Sequence, residues 1–124
     1  MKKISRIKAV AIGDRRVENL GREYRERGYF VITNKNYGSG VDLIIIVKDT
    51  GQVVKTIEST NYKAIWEYIS DEKLERYISS LNQFDVLPNV EKELVVSYED
   101  NLTEQQLKKL GASSIDVRII GKQD

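Results

Sequence analysis

The chain has 124 residues, with 20 Lys and Arg against 19 Asp and Glu for a net charge of +1, and it contains neither cysteine nor histidine. That length suits one domain able to bury a core without staples. The missing residues exclude disulfides, thiol nucleophiles, imidazole bases, a Ser-His-Asp triad and the usual zinc sites, so any chemistry must use carboxylates, lysine, tyrosine, hydroxyls or a hard oxygen-liganded ion.

No apolar run reaches the roughly 18 residues of a membrane span and no signal-peptide pattern is present, so a soluble, cytoplasmic chain without membrane contact is expected. Few Met and Pro beside many Lys, Arg, Glu and Ile lean toward a thermophilic source. Charge is uneven. Residues 1–30 hold nine basic residues against four acidic ones, an excess of five, which leaves the remainder at −4. A basic amino-terminal segment offers phosphates a landing surface, with Arg15, Arg16 and Arg22 as the candidate contacts. The alternative is a solvated helix face laced with i,i+4 pairs such as Glu18 with Arg22.

Residues 4–27 read as largely helical, with Val17, Leu20, Gly21 and Tyr24 on one apolar face and Gly28 as the stop. Gly13-Asp14 could break this into two helices, or into a strand and a helix. Residues 29–32 read as a strand, and residues 34–40 with Gly38-Ser39-Gly40 as a loop. Residues 41–48 form the next strand, apolar on both faces as expected of a central strand covered on both sides. Residues 52–58 form its partner. Between them Asp49-Thr50-Gly51 suits a three-residue turn with Gly51 in the left-handed region.

That turn pairs Lys48 with Gln52 and, counting back by twos, Asp42 with Glu58. Directly opposed residues have Cβ atoms about 5 Å apart, where like charges repel. Two carboxylates converging beside an apolar strand call for a proton or a divalent cation, and a cation suits them better. A two-residue loop would instead shift the register by one and send the two acids to opposite faces.

Beyond Glu58, Tyr62, Trp66 and Tyr68 could stack on bases, although Trp66 and Tyr68 read better as core filling. Asn61 could contact phosphate or end the strand through a local turn. Ser70 caps a helix with Leu74, Tyr77, Ile78 and Leu81 on its core face and an Ile69–Leu74 staple. After Pro88 comes a strand over residues 93–98. Thr103 with Gln106 matches a capping box, Leu102 with Leu107 a staple, and Gly111 a stop. Residues 115–120 form the last strand. The order αβββαβαβ predicts an α/β domain spanning residues 1–124, with a mixed sheet and helices on both faces.

This order, with Glu18 on the first helix ahead of Gly28-Tyr29, Gly40-Val41-Asp42-Leu43-Ile44 opening the second strand and Ile57-Glu58-Ser59-Thr60 ending the third, resembles the PD-(D/E)XK nuclease superfamily. It looks closest to archaeal Holliday-junction resolvase-like members. The resemblance covers roughly residues 13–98 and implies a restriction endonuclease-like fold, a DNA endonuclease activity, Mg²⁺ or Mn²⁺ as cofactor, nucleic acid as partner and a homodimer. It also implies that Asp42, Glu58 and the Ser59 carbonyl ligate the metal, with Glu18 completing or hydrogen-bonding the site. The family's last motif expects lysine where this chain has Thr60. Lysines migrate within the family, so Lys63, Lys73 or Lys35 could serve, whereas Lys48 lies about 20 Å from Asp42 at strand rise and Lys55 should face away from Glu58. The departure leaves two further readings: a nuclease-like fold that binds nucleic acid or a protein without turnover, and an interaction module with no nucleic-acid role.

Overall fold

The computed structural model describes residues 6–34, 41–60 and 67–121, and the side chains of its first helix from residue 15 onward. Its elements run α1 (Arg6–Glu26), β1 (Phe30–Thr33), β2 (Leu43–Ile46), β3 (Val53–Ser59), α2 (Asp71–Leu81), β4 (Glu91–Val96), α3 (Glu104–Ala112) and β5 (Ile115–Ile119). The expected order is realised. Among the described residues no helix is long and apolar enough to cross a membrane. Lys35, Lys63, Asn61, Tyr62, Trp66 and the Gly38-Ser39-Gly40 loop lie outside the described residues.

The five strands form one sheet in the order β1-β2-β3-β4-β5. β1, β2 and β3 pair antiparallel, while β3, β4 and β5 pair parallel. Parallel neighbours need crossovers, and α2 and α3 supply them. Strand alternation divides the core in two. Leu94 and Val96 join Leu74, Ile78, Leu81 and Leu110 beneath α2 and α3, whereas Val95 joins Leu43, Ile45 and Ile57 against Leu20 and Tyr24 of α1.

Helix α1 runs unbroken through Gly13-Asp14, because a buried stripe against β1 and β2 outweighs the local cost of one glycine. It ends in a Schellman motif. Tyr29 N–H reaches the Tyr24 carbonyl at 3.1 Å and Gly28 N–H the Arg25 carbonyl at 3.0 Å, with Gly28 at φ 92°. The two tyrosine rings meet edge to face at 6.2 Å, and Arg27 lies over both. This stop aims the chain directly into β1.

Several local expectations need correction. Helix α3 continues past Gly111 to Ala112, and Ser114 at φ 56° makes the left-handed turn instead. The Thr103–Gln106 capping box forms reciprocally at 3.1 and 2.9 Å, but Leu107 remains 39% exposed while Leu102 is buried in the cluster that also holds Leu110. Tyr68, read as core filling, is 60% exposed. The sheet is also less covered than its apolar run suggested. α2 and α3 pack on β3, β4 and β5, so on that side Phe30 and Ile32 of β1 stand exposed beside half-buried Ile46 and Ile44 of β2.

Central burial fixes where stability should be most sensitive. Leu94→Ala, emptying a fully buried position on a strand paired on both sides, should lower unfolding free energy by about 2–5 kcal/mol. Thr103→Ala should cost about 1 kcal/mol through loss of the cap. Chemical denaturation measures both.

Candidate metal centre

The hairpin carrying the acids reaches the expected register by an unexpected route. Val47 N–H bonds the Gln52 carbonyl at 2.9 Å and Gly51 N–H bonds the Val47 carbonyl at 2.8 Å, so the loop is Lys48 to Gly51, one residue longer than the expected turn. Gly51 adopts φ 73° as its place required. The ladder then pairs Ile46 with Val53 but Ile45 with Lys55, leaving Val54 as an extra residue in β3. A bulge of this kind absorbs one residue and strengthens local twist. It offsets the longer loop. Leu43 therefore pairs with Ile57, and the same register places Asp42, immediately ahead of β2, opposite Glu58.

The two acids bind each other's strands. Asp42 N–H donates to Glu58 Oε1 at 2.8 Å, and Ser59 N–H donates to Asp42 Oδ2 at 2.8 Å. Carboxylates thus replace backbone carbonyls as acceptors where the hairpin opens. Asp42 is half-buried and Glu58 only 5% exposed. Glu58 is pushed up to about 8, first by burial and then by the charge of Asp42, with the Asp42 amide opposing both. In the absence of a cation it is therefore mostly protonated at neutral pH.

This donor set fits a hard divalent ion. Its side-chain atoms are carboxylate oxygens, burial and the like charge of Asp42 raise Glu58, and a cation would favour the ionised form. Among the described residues no group of three or more acids forms a metal cage, so Glu18 is not gathered into the pair. It lies half-buried on α1 between exposed Arg15 and Arg22, on one stripe by the i, i+3, i+7 spacing.

Thr60 is 3% exposed, and both its N–H (2.9 Å) and its hydroxyl (3.0 Å) donate to the Val95 carbonyl. The position that carries lysine in the family it resembles is thus committed to joining β3 with β4. Lys55 does face away from Glu58, bonding Glu93 at 3.0 Å and lying 5.5 Å from the Tyr24 ring centroid. Lys73 is exposed in the first turn of α2.

Arg16 is the main correction among the candidate contacts. It is 1% exposed, and its guanidinium donates to the carbonyls of Thr60 and Gly121 rather than facing solvent. Its neighbours in the basic run disguised it, because charge alone does not mark which helix position turns inward. Two further buried polar residues organise the approach to α2. Asn101 donates to the Glu67 carbonyl at 2.7 Å, and Gln106 donates to the Ile69 carbonyl at 2.7 Å and to Asp71 at 3.0 Å. Gln106 was visible in sequence as a capping residue; its second role depends on α3 meeting α2.

Proton linkage gives a direct test. Between the ordinary 4.5 and about 8, the folded protein keeps a proton on Glu58 that the unfolded chain has released. In EDTA, stability should therefore fall as pH rises from 5 to 8, by at most about 1.4 kcal/mol per unit from this group. Glu58→Gln should flatten that slope. Mn²⁺ binding should release about one proton near pH 7 and tighten with pH. Thermal melts and calorimetry in two buffers of different ionisation enthalpy read these effects.

No known family's sequence profile matches the chain, and no curated protein matches it. Its fold is similar to the crystal structure of a repair endonuclease from Pyrococcus abyssi, with a TM-score of 0.54 and 19% identity over 99% of this chain and 50% of that one. The chain spans about half the length of that protein. At this identity the likeness is one of fold, and the mixed five-stranded α/β sheet is consistent with a restriction endonuclease-like architecture.

Proposed function

We propose that the protein is a divalent-metal-dependent nuclease that hydrolyses phosphodiester bonds, with DNA as its substrate, and that it belongs with the PD-(D/E)XK enzymes. The reciprocal Asp42–Glu58 pair carries this reading, since it brings two carboxylates together at one point on a nuclease-like fold. Asp42, Glu58 and the Ser59 carbonyl would hold Mg²⁺ or Mn²⁺, without Glu18, which is not gathered into the pair. Such an ion polarises a phosphate oxygen and lowers the pKa of its water. Hydrolysis would add a water oxygen to phosphorus and a water proton to the departing ester oxygen, giving a phosphomonoester and a free hydroxyl. Thr60 cannot supply the ammonium charge, and Lys63 and Asn61 are the candidates to assist at the phosphate from the segment after β3.

Exposed Arg15 and Arg22 are the proposed phosphate contacts on α1. A homodimer would have β1 as its open edge, where Phe30 and Ile32 are exposed. The second reading, a nuclease-like fold that binds without cutting, draws support from Thr60. Its hydroxyl is already spent on the Val95 carbonyl, so a water-activating charge must come from elsewhere.

Cleavage of end-labelled linear, flapped and branched DNA in Mg²⁺ or Mn²⁺ separates the two readings. Slow cleavage is expected, abolished by EDTA and lowered about 10²-fold or more in Asp42→Asn. Wild-type protein that binds Mn²⁺ and DNA without cutting would favour the second reading, and robust cleavage in EDTA would refute the metal mechanism.

DNA affinity should fall steeply with salt. Neutralising Arg15 and Arg22 together should weaken binding and reduce the log–log salt slope by about two. Fluorescence anisotropy over a salt series measures it. An unchanged slope would place the phosphate contacts elsewhere.

A further inference from the structure

Arg16 joins two strand ends that are not neighbours. From α1 its Nη1 donates to the Thr60 carbonyl, just past β3, and its Nη2 donates to the Gly121 carbonyl, past β5, at 2.9 Å. The end of β4 lies between them in the sheet. Ser97 sits there, 1% exposed, with an Oγ that has no hydrogen-bond partner among the described residues, and Arg16 Nε has none among them either. Among the described residues no carboxylate accepts from Arg16.

Burying a guanidinium without a carboxylate is costly. If the position served only to pack α1 on the sheet, leucine or methionine would do so at less expense. What a planar fork with several donors can do, and an apolar side chain cannot, is fix two carbonyls relative to one another. One of those carbonyls belongs to Thr60. The residue before it, Ser59, donates its amide to Asp42, and the residue before that is Glu58. The other anchor, at Gly121, ties this exit to the far edge of the sheet, and the Ile120 N–H bond to the Val96 carbonyl at 3.1 Å secures that anchor in turn.

We propose that Arg16 is a positioning residue for the Asp42–Glu58 pair: by clamping the Thr60 carbonyl to the end of β5, it holds the Glu58-Ser59 exit of β3 where both carboxylates serve one cation. The cation part rests on the function proposed above; the positioning part does not. Arg16 touches neither substrate nor metal in this role.

The test combines amide hydrogen exchange without metal and Mn²⁺ titration, on wild type, Arg16→Met, Arg16→Lys and Ile78→Ala. Ile78→Ala destabilises the opposite core layer and reports the effect of lost stability alone. Arg16→Met should speed exchange of the Ser59 and Asp42 amides by about tenfold or more beyond that control, while Ile32 and Ile44 follow global stability. Mn²⁺ affinity should weaken by roughly tenfold to a hundredfold, as for partners behind a metal ligand. Arg16→Lys, able to bond one carbonyl at a time, should recover part of both and serves alone if Arg16→Met does not fold. Ser59 and Asp42 exchange no faster than in the control would overturn the proposal. Wild-type protein that takes up no Mn²⁺ would instead refute the metal reading, and exchange would still decide the role of Arg16.

Discussion

Two carboxylates facing each other across a hairpin impose the main constraint on this molecule. Asp42 and Glu58 each accept a backbone amide from the opposite strand, so neither can swing away without leaving a donor unpaired. Glu58 is nearly buried, and its carboxyl sits near 8 instead of 4.5. Burial and the like charge of Asp42 thus favour its protonated form. A compact fold tolerates such a position where a proton or a cation relieves it, and groups held in this way cluster at functional sites. Structural ion networks also perturb titration, but here the neighbouring charge has the same sign.

Much of the surrounding architecture serves to hold that opposition. The loop after β2 is one residue longer than a tight turn, and the Val54 bulge restores the pairing before the strands reach the acids. Because side chains alternate with period two, an uncorrected shift of one would have sent the acids to different faces. On the other side of Glu58, β3 leaves the sheet at Thr60, which is tied to β4 through Val95 and to β5 through Arg16. The segment leading into α2 is fastened by Asn101 and Gln106. Ligand sites of open α/β sheets gather at the carboxyl ends of parallel strands, and these buried polar ties concentrate there.

The two sheet edges differ in character. β5 carries Asp116 and Arg118, the latter paired with Glu23 of α1 at 3.2 Å, and charge on an edge discourages pairing with another sheet. β1 reads Phe-Val-Ile-Thr without a charge, and two of its side chains are exposed. The basic face of α1 is shaped by the same economy of surfaces. Arg15 and Arg22 remain outside while Arg16 turns in, so a run that looks uniform along the chain divides between solvent and interior.

The order of elements, the caps at Ser70 and Thr103 and the stop at Gly28 were determined by the sequence alone; the opposition of Asp42 to Glu58 was expected from it through a three-residue turn that does not form, and it rests on the Val54 bulge. Each depends on residues within about a turn or a hairpin of one another, where local propensity and periodicity act. Other features were decided only by tertiary structure. The inward turn of Arg16 requires knowing that the exits of β3 and β5 meet beneath α1, across 44 and 105 residues. The exposure of Phe30 depends on which part of the sheet α2 and α3 cover. Thr60 is committed to Val95 because β3 and β4 are parallel neighbours. Such contacts leave no periodic trace along the chain, since they are set by how finished elements pack rather than by how each one forms.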